Sequence, residues 1–162
     1  MKTTRVSLAI LGVVGVAVLT PGTSSVSASF ARSGFLQVDK NCKDYGGQAG
    51  EFCTITSSDL SEIAPGSKVF YTQPAGIPAG MLDSNVMLDA GDGSRAIGRC
   101  TVDFATGLGL CTFSDGTGRL AGFHARVEVS PPGDDDPDWH WRGTYGFNRE
   151  GIAGPRDGNR GK

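Results

Sequence analysis

From residue 35 onward, apolar and polar residues alternate with a period of two rather than 3.6, the pattern of half-buried strands. Over residues 119–130, Ala121, Phe123, Ala125, Val127 and Val129 share one face, and Leu120, Gly122, His124, Arg126, Glu128 and Ser130 share the other. Over residues 138–147, Trp139, Trp141, Gly143, Tyr145 and Phe147 lie together, opposite His140, Arg142 and Thr144. Further strands are expected over 35–39, 51–56, 67–73, 81–89, 94–104 and 110–114, and one helical turn over 58–63. Residues 45–50, Pro65-Gly66, the loop 74–80 with two prolines and two glycines, Gly91-Asp92-Gly93, 105–109, 115–118 and 131–137 separate them as turns. Seven or eight strands joined by short turns indicate an all-β antiparallel barrel or sandwich. Full closure would remove the sheet edges that invite aggregation. Ala121, Gly122, Ala125, Gly143 and Gly146 stand beside the aromatics. Such small residues suit a barrel with a ligand cavity and a tapered barrel filled by side chains equally well.

The N-terminus changes the compartment. Lys2 and Arg5 precede an apolar run over 8–19, and Val26-Ser27-Ala28 follows as a small-residue cleavage site. The run is shorter than the ~20 residues of a spanning helix. Residues 1–28 are therefore expected to be a signal peptide, residues 29–147 the domain of a secreted, extracellular protein, and residues 148–162, rich in glycine and charge, a disordered tail. Cleavage removes two of 15 basic residues and none of 17 acidic ones, leaving 13 − 17 = −4. No basic stripe suits nucleic acid, and no other stretch suits a membrane span. In an oxidising compartment the four cysteines are expected as disulfides. Cys42–Cys53 and Cys100–Cys111 are favoured because each pair brackets a short, turn-rich segment, and the hairpin register sets Cys100 opposite Cys111. No Cys-x-x-Cys is present and His124 and His140 are distant in sequence, so no metal site is expected.

The aromatic set Phe70, Phe123, Trp139, Trp141, Tyr145 and Phe147 is the candidate ligand-binding lining, against plain core packing as the alternative. Tyr71 lies on the face opposite Phe70, so only one of the two can point inward. Asp83, Asn85, Asp89, Arg99, Asp103, Arg126, Glu128 and Arg142 are polar strand residues: solvated cross-strand pairs if outward, acid, base or orienting groups if inward. The acidic loop Asp134-Asp135-Asp136-Pro137-Asp138 lacks the ligand spacing of a calcium loop. No motif of a standard hydrolase or nucleotide-binding loop occurs.

Residues 115–125 (DGTGRLAGFHA) followed by Trp139-His140-Trp141-Arg142-Gly143-Thr144-Tyr145-Gly146-Phe147 resemble secreted bacterial members of the allene oxide cyclase and dirigent-protein barrel superfamily. The match is specific over 114–147, looser over 51–104, and absent before Gly34 and after Phe147. The resemblance implies an eight-stranded antiparallel barrel with a hydrophobic central cavity. Members hold unsaturated or aromatic intermediates and steer a ring closure or coupling, without a cofactor, by controlling the bound conformer. They are often trimers or dimers, so a homo-oligomer is an open possibility. Plant cyclases carry a carboxylate on the first strand, for which Asp39 and Glu51 are candidates here; Asp83 and Arg99 complete the catalytic candidates. The His-Asp element of dirigent proteins is missing, so the resemblance carries over the fold and the cavity and no catalytic residue.

Three functions follow as alternatives. A cofactor-free cyclase or isomerase of a hydrophobic molecule requires an inward carboxylate, tyrosine or arginine beside the aromatics. A lipocalin-like or dirigent-like binding protein requires a wholly apolar lining. A structural barrel that binds a surface partner requires no cavity and an exposed apolar patch.

Overall fold

A computed structural model describes residues 32–133 and 137–148. The expected signal segment, Asp134, Asp135 and Asp136, and all of the expected tail but Asn148 lie outside them. Eight strands form the domain: β1 (Arg32–Asn41), β2 (Phe52–Ser58), β3 (Lys68–Tyr71), β4 (Met81–Asp89), β5 (Arg95–Asp103), β6 (Gly109–Gly116), β7 (Phe123–Ser130) and β8 (Trp139–Phe147). Each pairs antiparallel with the next, and β8 pairs with β1, so the sheet closes into an eight-stranded barrel. Alternation decides which residues fill it. Leu36 and Val38 of β1, Val86 and Leu88 of β4, and Val127 and Val129 of β7 point inward and are buried. The expected disulfides are present, Cys42–Cys53 and Cys100–Cys111. Cys100 and Cys111 face each other across β5 and β6.

Two local expectations are corrected. The strand expected from Arg119 begins at Phe123, because Gly118–Leu120 forms a 3-10 turn and Gly122 takes φ +74°. That left-handed conformation favours glycine, and a Cβ there would lie 2.0 Å from the Asn148 carbonyl oxygen. The turn swings Leu120 off the polar face, where alternation placed it, into the core at 0% exposure. The helical turn expected over 58–63 is a compact turn instead. Ser58 Oγ accepts from the Leu60 amide at 3.1 Å, offering the backbone a local alternative to a helix.

The small residues do not make the cavity. A Cβ on Gly143 would stand 2.1 Å from the Arg126 carbonyl oxygen and 2.7 Å from Val127 Cα. Gly143 therefore lets β7 and β8 approach closely, as a glycine at a strand bend does.

Up-and-down connectivity gives the barrel two unlike ends. The connections β2–β3, β4–β5 and β6–β7 lie at one end. Leu60, Ile63 and Leu120 of those connections are buried in the core and close it. The connections β1–β2, β3–β4 and β5–β6, with the described part of β7–β8, lie at the other, which the described residues leave open over a cavity.

Candidate functional site

The open end holds an inward-facing lysine. Lys40 continues the alternation Leu36, Val38, Lys40 along β1 and is 3% exposed. A register shift between Asp39 and Lys40 marks a bulge, with Asp39 opposite Ser57 and Lys40 opposite Ile55. Bulges re-aim side chains at barrel rims and beside functional sites. On its other side Lys40 pairs with Trp139 of β8.

The Lys40 ammonium donates to the Tyr71 hydroxyl at 3.1 Å and lies 3.5 Å from Cys42 Sγ and 3.8 Å from Cys53 Sγ. Its Nζ stands 5.8, 5.7 and 5.4 Å from the ring centroids of Tyr71, Trp139 and Trp141. These π faces attract the cation, but no carboxylate pairs with Lys40 among the described residues. Burial in this surrounding lowers its pKa to about 7, so near neutral pH a large share of the amine is uncharged. Tyr71, on the inward face of β3, is pushed well above the ordinary phenol value, first by burial and then by Tyr45. It stays a neutral phenol, able to donate a proton.

Above this pair lies a cavity of about 210 Å³ lined by Lys40, Cys42, Tyr45, Leu82, Val102, Phe104, Val129 and Trp139. It is smaller than the ~300–1,000 Å³ of pockets for drug-sized ligands. Tyr45 comes from the β1–β2 connection, and its ring stacks 4.5 Å from that of Tyr71. That connection is shaped by the Cys42–Cys53 bridge and by Glu51, whose carboxylate accepts from the Gly46 and Gln48 amides at 2.7 and 2.9 Å. The buried Tyr45 hydroxyl has no hydrogen-bond partner among the described residues. An unpaired buried hydroxyl at a cavity wall is a donor available to a ligand. Exposed Ile77, Met81, Phe104 and Leu108 belong to the strand ends and connections at this same end. The Phe104 amide donates to the Gly80 carbonyl at 2.9 Å, joining two of these segments into an apolar rim.

Of the six aromatics singled out in the sequence, Trp139 alone lines the cavity, and Trp141 flanks Lys40 from below. Phe123, Tyr145 and Phe147 pack toward the closed end, where Phe113–Trp141, Phe123–Phe147 and Tyr145–Phe147 contacts of 5.3–6.0 Å fill the interior. Phe70 stands on the outer face against Phe52, at 5.3 Å, because Val69 and Tyr71 take the inward positions of β3.

The four catalytic candidates are also outside the cavity. Asp39 is on the outer face and accepts from His140 Nδ1 at 2.9 Å and from Arg142 at 2.7 Å. Burial alone would raise its pKa, but these two bonds and the Arg142 charge outweigh it, and the pKa falls below the ordinary value. Asp83 and Arg99 form an outer-face ion pair at 2.7 Å. Glu51 holds its loop, as described. The open groove on the outside of β4–β6, about 860 Å³ and floored near Gly98 and Phe113, brings in only Arg99 of these groups. Among the described residues, no three His, Cys, Asp or Glu side chains converge as a metal cage.

The sequence reading missed Lys40, Tyr71 and Tyr45. The signal for Lys40 was its phase: it follows Leu36 and Val38 at intervals of two. The protein-family models, the curated proteins and the solved structures with which the chain was compared contain no match to it.

Proposed function

We propose that this is a secreted barrel that takes a small hydrophobic molecule into its open-end cavity and directs its isomerisation or cyclisation, without a cofactor, through the Lys40–Tyr71 pair. One observation carries the reading: a buried amine 3.1 Å from a buried phenol, set into a cavity with otherwise mostly apolar walls. A pure carrier has no use for an amine held there with no carboxylate partner among the described residues, since burying a charge without a counter-ion costs stability. The Lys40 amine, with its pKa lowered to about 7, can take and give a proton near neutral pH, and the neutral Tyr71 phenol can donate one, as general acid–base work on a bound molecule requires. The two disulfides suit an extracellular protein. The resemblance to allene oxide cyclase-like barrels agrees in the kind of chemistry, with the site at a barrel mouth and a lysine in place of a carboxylate.

The test is native mass spectrometry of the folded, disulfide-bridged protein after incubation with an extract of its producer's culture medium. The reading expects a retained small molecule that is lost from Leu82→Trp, which fills the cavity. It also expects turnover to a product of equal mass and altered retention time that Lys40→Met abolishes. Binding without turnover would reduce the protein to a carrier, and no binding at all would remove the small-molecule function.

A further inference from the structure

We propose that Lys40 acts as a nucleophile, forming an imine with the carbonyl group of a small aldehyde or ketone bound in the open-end cavity. This rests on the cavity being a ligand site and names the class of ligand it takes.

The argument begins with the position of the amine. Lys40 Nζ lies at the floor of a chamber whose walls are Leu82, Val102, Val129, Phe104 and the Trp139 ring. A carbonyl compound entering past the apolar rim must present its polar end somewhere. The polar groups at this end include the Lys40 amine, the Tyr71 phenol bonded to it, and the Tyr45 hydroxyl, which has no partner among the described residues. A carbonyl oxygen that accepts from a phenol places its carbon beside the amine. Among the described residues no carboxylate fixes the amine as a salt-bridged ammonium, and burial leaves it substantially uncharged near neutral pH. Lysines activated for Schiff-base chemistry are desolvated in this way.

The step balances with these groups alone. The amine lone pair forms a bond to the carbonyl carbon while the C=O π pair moves to oxygen. A proton passes from nitrogen to oxygen and gives the carbinolamine. The Tyr71 phenol then gives its proton to the departing oxygen, which leaves as water as the nitrogen lone pair makes the C=N bond. The iminium nitrogen carries the positive charge, with the faces of Trp139, Trp141 and Tyr71 around it. The phenolate left on Tyr71 is placed to take a proton from the carbon next to the iminium; that C–H pair becomes C=C as the C=N pair moves to nitrogen. Return of the proton at a different carbon isomerises the substrate, and water reverses the imine. No oxidant, reductant or metal enters.

The probe is cinnamaldehyde, a flat aromatic enal, offered to the folded protein at pH 7 with sodium cyanoborohydride to reduce any iminium. Cinnamyl alcohol, which has no carbonyl, is titrated separately. Its binding is read by fluorescence, since Trp139 and Trp141 are the chain's two tryptophans and both flank Lys40. The expected result is one reduced adduct per chain, mapped to Lys40 in preference to exposed Lys43 and half-buried Lys68 by about tenfold or more. The preference vanishes in urea, where all lysines resemble one another. Tyr71→Phe, which keeps the ring, slows labelling by about tenfold. Lys40→Met, which removes the amine and buries no charge, loses the adduct. If the alcohol binds and Lys40 is labelled no faster than Lys43 and Lys68, the imine is overturned and the cavity reading stands. If neither the alcohol nor the aldehyde binds, both fall.

Discussion

The two ends of the barrel are built from the same eight strands and the same alternation, yet one is sealed and the other open. At the sealed end, Leu60, Ile63 and Leu120 reach in from the connections, and Phe113, Phe123, Trp141 and Phe147 meet ring to ring. At the open end the inward positions fall to Lys40 and Tyr71, and the covering connection contributes Tyr45. The strands set a uniform inside and outside; the connections and the last inward residue of each strand decide whether the interior is filled. Apolar packing fills the sealed end, whereas the open end buries an amine that has a phenol partner but, among the described residues, no carboxylate. Such departures from local rules are where function is expected.

The largest expected effect is at the sealed end. Phe123→Ala leaves a void among Phe113, Leu120 and Phe147 and lowers unfolding stability by about 3–5 kcal/mol, measured by urea titration. The equivalent truncation at the open end, Leu82→Ala, enlarges an existing cavity and costs about 2 kcal/mol, toward the low end for such changes. Equal losses at the two ends would remove the contrast.

Replacing Cys42 and Cys53 together by Ala frees the connection that carries Tyr45. It lowers stability by about 2–4 kcal/mol and weakens cinnamyl alcohol binding. Replacing Cys100 and Cys111, which staple β5 to β6, lowers stability by a similar amount and leaves that binding within about twofold.

The open end also has a pH signature. With a folded pKa near 7 against the ordinary 10.5, Lys40 is protonated more readily in the unfolded chain over that interval. Stability is therefore lowest below pH 7 and rises as the amine loses its proton, by about 2–3 kcal/mol between pH 7 and 9.5. Lys40→Met removes that rise and is more stable than the parent at pH 6 by about 1–4 kcal/mol. Urea midpoints at pH 6 and 9.5 for the two proteins decide it. The smallest effect belongs to the outer face. Asp83→Asn breaks the pair with Arg99, whose side chain is 56% exposed, and changes stability by no more than about 1 kcal/mol.

The strands were legible in the sequence because alternation is a local consequence of the pleat, and the disulfides because hairpin register sets Cys100 opposite Cys111. The start of β7 was not, because Leu120 is drawn inward by a turn whose geometry depends on Asn148 approaching Gly122. The site was legible only in part. Trp139 was found because tryptophans on an alternating face mark the interior. Lys40 was passed over because a lysine in a strand is ordinarily solvated, and its burial requires Trp139, Trp141 and Tyr71 from distant strands to meet around it. Alternation showed that only one of Phe70 and Tyr71 can point inward and could not say which; the pairing of β3 with β2 and β4 points Tyr71 inward. Glycines beside aromatics suggested space, but Gly143 admits a neighbouring strand rather than a ligand.

The most direct measurement follows the Lys40 side chain by NMR, with lysine ¹³C-labelled at the ε position and the signal assigned by its loss in Lys40→Arg. The account predicts a titration midpoint near pH 7, and a shift of that signal, with those of Lys43 and Lys68 unmoved, when cinnamyl alcohol enters the cavity. A midpoint near 10.5 with no response to the alcohol would contradict it, because the open end would then hold an ordinary solvated lysine and no site.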